Sequence, residues 1–520
     1  MCDAAAGPGD EHRARSDGTA AGALRASESR RGKDCGKCKR RPANVALRHA
    51  LFCRDCFIAG VRHKFHASVQ RVRPQLSQAP DEGARVLLAF SGGPASRLLL
   101  HAFRALQGDA AEKLGRQAPR LFSGAVVAHV DESVAFCEGA EKRAATADAA
   151  RRVAELSGFE FVGCSLEAAY DIDAAPGEPR LLSVSSNAAG SAIQSSFVPA
   201  DSTNSTEQLM SALKVLKGSG REALVRQLRI RLLASIARRE RCQVVMFGNS
   251  MTRLAVRALS LTSEGRGYVM PQETAVVNKD VGDLGCEGFL NSADQCTSGA
   301  LTFLRPLSDL LAKEIGIYNW YLGLDRSLVH TRLLIPRSQV KGSIERLTED
   351  FIVGLDKGFP ATVSTVARTV AKVTTRASSD RQHWRCPICF SATQPGTADW
   401  VRRITVSLPP GDAASSVTSD SAASKPLLAS APTLVRHSPD PIDAFICYGC
   451  RSCLSESLLS PRLRRDPGRT QAEQEATLLL PPYMARSVKE LSRRSACAVS
   501  EMSNEERTEE LRKKVERYIL

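Results

Sequence analysis

At 520 residues the chain is too long for one hydrophobic core, which rarely serves more than about 250–300 residues, so two or more folded units are expected. Its net charge is +15, and residues 30–73 supply eleven of those fifteen charges, a local excess that points to a polyanionic partner. No apolar run reaches the roughly 18 residues of a membrane span, and the first residues lack the apolar stretch of a secretory signal, so the sixteen cysteines read as metal ligands or buried thiols rather than a disulfide framework.

Residues 1–33 read as a disordered leader, because acidic and basic side chains cancel there and apolar ones are sparse. Residues 34–75 hold "CGKCKRRPANVALRHALFCRDC", in which two C-x2-C turns enclose fourteen residues. Two such turns complete the tetrahedral four-thiolate set of structural zinc, here Cys35, Cys38, Cys53 and Cys56. A closed set leaves no position for chemistry, so this ribbon is expected to be a platform for Lys37, Lys39, Arg40, Arg41, Arg48, Arg62 and Lys64, the candidate contacts to nucleic-acid phosphate. His49, His63 and His66 would face the same anion; a merely solvated basic face is the competing reading.

Residues 76–378 alternate strand and helix patterns, which predicts a parallel sheet. "RVLLAF" (85–90), "GAVVAHV" (124–130), "FEFVGC" (159–164) and "QVVMFG" (243–248) are the strands. After the first comes Ser91-Gly92-Gly93, then a helix with Ser96 in its first turn; glycines let backbone approach a ligand and a helix N-terminus attracts anions, so this is a candidate phosphate loop. Over 222–240 Leu224, Leu228, Leu232 and Ile236 recur at helical spacing, with arginines expected in solvent on the other faces. Disordered inserts are expected near 172–206 and 270–300.

The region 379–455 repeats the cysteine theme: Cys386 and Cys389, then Cys447, Cys450 and Cys453, interrupted by low-complexity 406–441. Loop closure costs grow slowly with length, so an insertion between ligand pairs is tolerable. The fifth cysteine is surplus for zinc and leaves Cys450 and Cys453 as alternatives; an iron-sulfur cluster is the rival to zinc. Residues 456–520 form a tail with a terminal helix.

The Ser-Gly-Gly-x-x-Ser loop, the ribbon before it, "GNSMTRLAVRAL", "FLRPLSDLLAKEIGIYNWYLGL" and the closing cysteines together resemble the PP-loop tRNA thiolases, and more closely the cytoplasmic tRNA 2-thiolation protein 2 family. The resemblance implies a PP-loop ATPase-like α/β fold flanked by zinc ribbons. It also implies a cytoplasmic tRNA-binding subunit, paired as a heterodimer with a catalytic sister. That complex replaces the C2 oxygen of wobble uridine with sulfur from a ubiquitin-related carrier.

The departures bear on activity. Active PP-loops carry Asp where this chain has Ala95; paired aspartates of the sister subunit are replaced by Met251-Thr252-Arg253; and 205–227 contains no cysteine ahead of the arginine-rich helix. The resemblance therefore implies no catalytic residue in this chain and leaves Mg-ATP binding open, while an iron-sulfur cluster is not expected in this subunit. The alternative is a chain that itself adenylates tRNA.

Overall fold

The computed structural model describes residues 34–47, 50–76, 83–114, 121–136, 139–171, 181–186, 193–198, 204–278, 301–327, 329, 343–359, 361–373, 385–391, 393, 397, 442, 445–458 and 477–501. The expected leader, the low-complexity 406–441, most of the insert near 270–300, and Arg48 and His49 lie outside these residues.

A short antiparallel hairpin, β1 (Val45–Leu47) and β2 (Ala50–Phe52), leads into helix α1 (Arg54–Gln70). Then come β3 (Ala84–Ala89), α2 (Pro94–Leu114), β4 (Phe122–Asp131), α3 (Ala140–Leu156) and β5 (Glu160–Ser165). The strand pair β6 (Leu181–Ser186) and β7 (Ile193–Val198) precedes α4 (Ser205–Val215), α5 (Gly218–Arg239), β8 (Val244–Met246) and α6 (Met251–Ser263). Helix α7 (Met270–Thr274), β9 (Val277–Asn278), β10 (Thr302–Leu304), α8 (Ala312–Tyr321), α9 (Ile344–Gly358) and α10 (Thr362–Val370) follow. Helix α11 (Tyr448–Leu458), β11 (Leu478–Leu480) and α12 (Pro482–Glu501) end the described chain.

The main sheet runs β5-β4-β3-β8-β10-β9, parallel throughout except for the antiparallel edge strand β9. All four strands expected from apolar runs are in it. Successive side chains of a strand point to opposite faces, and two cores result. Val86, Leu88, Val244 and Met246 join α2, α8 and Phe57, Val61 and Phe65 of α1 on one face. Leu87, Val245 and Phe303 join Leu228 and Leu232 of α5 and the carboxy-terminal cysteines on the other. The two cysteine regions thus serve opposite faces of one sheet.

From β3 the chain winds toward β5, and after β8 it winds toward β10. The reversal lies between β3 and β8, and the crevice beyond the carboxyl ends of such strands is where open α/β sheets bind ligands. The Ser91–Ser96 loop leaves β3 at that point.

Two expectations need correction. The stretch 172–206, expected to be a disordered insert, contributes β6 and β7, which form a three-stranded antiparallel sheet with β11 from the tail. Leu181, Leu182, Val184 and Ile193 are buried, and Tyr170 Oη donates to the Leu479 carbonyl at 3.1 Å. Serines between these apolar residues gave the segment a low-complexity look, while its partner strand lies nearly three hundred residues on. The arginines of α5 are likewise not all solvated. Arg231 is buried, its guanidinium 4.8 Å from the ring centre of Tyr483 and 5.5 Å from that of Phe390, where cation–π attraction compensates for the missing hydration.

Candidate metal centres and phosphate loop

Cys35, Cys38, Cys53 and Cys56 bring their sulfurs within 4.8 Å of one another, and so do Cys386, Cys389, Cys447 and Cys450. The backbone builds both groups in the same way. In the first knuckle the N–H of Lys39 donates to the Cys35 carbonyl at 2.8 Å, and Lys39 takes φ 53°. In the second, Phe390 N–H donates to the Cys386 carbonyl at 2.8 Å, and Phe390 takes φ 55°. This left-handed turn aims two thiols at one point. The remaining pair comes from a helix start: Cys53 precedes α1 with Cys56 in its first turn, and Cys447 precedes α11 with Cys450 in its first turn.

The equivalence decides the alternative left by the spacing. Cys450, not Cys453, joins the carboxy-terminal group; Cys453 lies one helical turn on, its sulfur 3.3 Å from Arg266 Nη2. The sulfurs of Cys38 and Cys53 approach to 3.9 Å, and those of Cys389 and Cys447 to 3.5 Å. Either group could hold a metal ion. By contrast, burial pushes the isolated thiols of Cys164 and Cys242 up to about 11, which leaves them protonated and inert at neutral pH.

Of the basic residues singled out in the ribbon, Lys37, Lys39 and Arg40 are exposed. Arg41 is exposed too but ion-pairs with Asp55. Lys64 bonds Glu314 of α8 at 2.6 Å, which docks the ribbon helix on the sheet domain, as does Arg54 by donating to the Tyr321 carbonyl at 2.9 Å. Arg62 is exposed beside Tyr318 and His101; burial, with Arg62 and Arg97 nearby, holds His101 below the usual imidazole range. His63 and His66 are exposed on the same helix.

In the phosphate loop, Ser91 is exposed and Ser96 is buried. Ser96 Oγ donates to the Gly93 carbonyl at 2.9 Å, so that hydroxyl closes the loop on itself. Gly92, at φ 82°, accepts from the Val329 N–H at 3.0 Å, and a Cβ on Gly92 would come within 2.6 Å of Val329 Cβ. Gly248, just past β8, lies so close to Ala95 and Ser96 that a Cβ there would sit 3.0 Å from Ser96 N. Gly248 lets the end of β8 press on the loop, and Gly92 lets Val329 pack over it.

Sequence reasoning missed an ion network beside this crevice. Glu345, at the start of α9, accepts from Arg226 and, at 2.5 Å, from Arg253, with Arg257 Nη1 at 3.6 Å. Arg257 also forks onto Glu273 at 2.5 and 2.9 Å. Burial pushes both carboxyls up, but the surrounding arginines, Arg226 foremost for Glu345 and Arg257 for Glu273, hold each down at about 2. Arg253 belongs to the Met251-Thr252-Arg253 stretch that the resemblance set against paired aspartates of the sister subunit, so this stretch brings a cation and no carboxylate to the network. The arginine-rich pattern of α5 and α6 was the available signal; its acidic partners are distant in sequence.

The arrangement defines a class: a mostly parallel α/β protein with a Ser-Gly-Gly loop at the switch point of its sheet and a four-cysteine knuckle serving each face. A family model described as Cytoplasmic tRNA 2-thiolation protein 2 matches residues 343–452, which include α9, α10 and the carboxy-terminal cysteines. Curated relatives of that name are similar over most of the chain. The Bos taurus protein is 29% identical over 403 residues, covering 70% of this chain and 73% of its own length. The Homo sapiens protein is 28% identical over 417 residues, covering 71% and 73%. Among solved structures, the tRNA thiolase NcsA from Methanococcus maripaludis with its 4Fe-4S cluster aligns with TM-score 0.41 and 16% identity, covering 66% of this chain and 90% of that one. The chain is similar to cytoplasmic tRNA 2-thiolation protein 2, the family its motifs resemble.

Proposed function

We propose that this chain acts in cytoplasmic tRNA 2-thiolation as a tRNA-binding subunit that performs no chemistry of its own. The similarity to cytoplasmic tRNA 2-thiolation protein 2 over seven-tenths of the chain carries the reading. Within it, Lys37, Lys39 and Arg40 offer phosphate contacts on the knuckle turn, with Arg62 on helix α1 that follows it. Ala95 in place of a carboxylate, Met251-Thr252-Arg253 in place of paired aspartates and Val329 over Gly92 all weigh against Mg-ATP chemistry, so the tRNA-adenylating alternative is not favoured. The catalytic step then belongs to a sister subunit in a heterodimer, supplied with sulfur by a ubiquitin-related carrier in the cytoplasm. Among the described residues no helix is long and apolar enough to cross a membrane.

Zinc is the ion we assign to both cysteine groups. Tetrahedral ligation at about 2.3 Å places thiolates about 3.8 Å apart. Sulfurs that all lie within 4.8 Å suit one ion, whereas a 4Fe-4S cube interposes irons and sulfides and spreads its thiolates further.

Neutralising Lys37, Lys39 and Arg40 to Gln is expected to weaken tRNA binding. The dependence of log affinity on log salt should flatten by up to about 0.7–0.9 for each phosphate that the ribbon no longer neutralises. An unchanged affinity and slope would reduce the ribbon to a solvated basic face. For the division of labour, the purified chain is expected to make no 2-thiouridine until the catalytic sister is added. Ser91→Ala with Ser96→Ala should then impair the complex less than removal of either cysteine group. Thiolation by this chain on its own would reject the reading.

A further inference from the structure

The carboxy-terminal cysteines are buried, from 0% exposure at Cys386 to 8% at Cys389. A divalent ion among four thiolates leaves two net negative charges, and a buried charge of that size is costly unless a counter-charge lies beside it. The amino-terminal group is less demanding, since Cys38 and Cys56 are half-buried, water reaches them, and the exposed Lys37, Lys39 and Arg40 lie in the same knuckle.

Arg266 is placed to supply that counter-charge. It sits in the turn that ends α6, with 3% of its surface exposed, and its Nη2 lies 3.3 Å from the Cys453 sulfur. Two glycines make room for it. Gly265, at φ 68°, brings the turn against the ring of Tyr448, where a Cβ would collide. Gly449, between Cys447 and Cys450, lies directly under the side chain; a Cβ there would run into Arg266 Nε, Cγ and Cδ. The guanidinium therefore lies across the ligand turn itself. Glu264 carries part of the charge at 3.6 Å from Nε, and Tyr268 accepts from the Gly449 N–H at 3.5 Å, which ties the same turn to the start of α11.

We propose that Arg266 is the counter-ion of the carboxy-terminal four-thiolate site and that Cys453 is its anchor rather than a metal ligand. This rests on the metal reading above. An outer-sphere cation lowers the energy of the anionic site without touching the ion, so its removal should speed metal release more than it changes how many ions a freshly loaded chain holds. Outer-sphere partners of metal ligands typically change affinity 10–100-fold.

The test uses the full chain loaded with zinc, elemental analysis of ions per chain, and the rate of zinc transfer to a chromogenic chelator. The native chain is expected to hold two ions and to release them in separate phases. Cys450→Ser should hold one and Cys453→Ser two. Arg266→Gln should release one ion about 10–100-fold faster while the other phase keeps its native rate. Arg266→Lys keeps the charge and should stay within about threefold of native in both phases. If the Gln variant does not fold, the Lys variant decides the matter: release about tenfold or more faster than native overturns the proposal. So does unchanged release from Arg266→Gln, or a Cys453→Ser chain holding one ion. A native chain holding fewer than two ions overturns the metal reading itself, which separates the two failures.

Discussion

Cys447→Ser is expected to remove one metal ion per chain and to lower the Tm of the α/β domain sharply, whereas Cys38→Ser removes one ion and disturbs the ribbon alone. The difference follows from where the sulfurs sit. Cys386, Cys389, Cys447 and Cys450 belong to the same core as Leu228, Leu232, Val245, Phe303 and Tyr483. Their two halves are far apart in the chain, 58 residues from Cys389 to Cys447, so the ion closes a long loop as well as filling the core. Metal binding at such a site is folding free energy, about 10–16 kcal/mol for zinc-finger peptides at neutral pH, against a total stability of about 5–15 kcal/mol for a typical domain. Even if half of that is recovered by repacking, a loss of about 5 kcal/mol lowers Tm by about 10–20 °C in a domain of this size. In the amino-terminal ribbon, Cys35 and Cys53 are buried, but the helix that follows holds to the sheet through Phe57, Val61 and Phe65 whether or not the ion is present. Metal content and thermal unfolding of the two variants decide the point; equal falls in Tm would reject it.

What the sequence made legible was whatever repeats within a few residues. The strands β3, β4, β5 and β8 announce themselves as apolar runs because a parallel sheet is buried on both faces. Leu224, Leu228, Leu232 and Ile236 declare the inner face of α5 by their spacing and are buried there. The two C-x2-C pairs on each side are equally local, since thiolates three apart grip one ion from a single turn. What stayed hidden depends on partners brought from afar. Strand β6 looks like a serine-rich insert until Leu478–Leu480 is beside it. Arg231 looks solvated until Phe390 and Tyr483 arrive, and nothing near Gly92 foretells Val329. The choice of Cys450 over Cys453 was within reach: Cys53 and Cys56 already show the pair taken from a helix start, and "CYGCRSC" offers Cys447 and Cys450 at the equivalent places.

Glu345→Gln is expected to cost about 3–5 kcal/mol at neutral pH, the second large effect, and the cost should shrink in acid. The substitution keeps the shape of the side chain and removes its charge, leaving Arg226 and Arg257, both largely buried, without the anion between them. Breaking a buried pair from one side is worth about 3–5 kcal/mol because the partner charge stays behind. Arg253 is half exposed and adds little, since water screens it. The pH dependence has a definite sign. The folded carboxyl titrates at about 2 against 4.5 for an ordinary one, so its contribution is fully present above about pH 4.5 and is lost as pH falls toward 2. That interval corresponds to roughly 3 kcal/mol, in line with the mutational figure. Glu273, also held at about 2, titrates in the same window and shares Arg257 with Glu345, so the difference between the chains reads the Glu345 charge together with its coupling to Glu273. Glu222, which accepts from Ser343 at 2.6 Å, shifts the opposite way through burial and steepens neither curve below pH 4. Urea midpoints of the native and Glu345→Gln chains should therefore lie far apart at pH 7 and the gap should shrink by roughly half by pH 3; a gap that stays constant across that range would show that Glu345 stabilises the fold by something other than its charge.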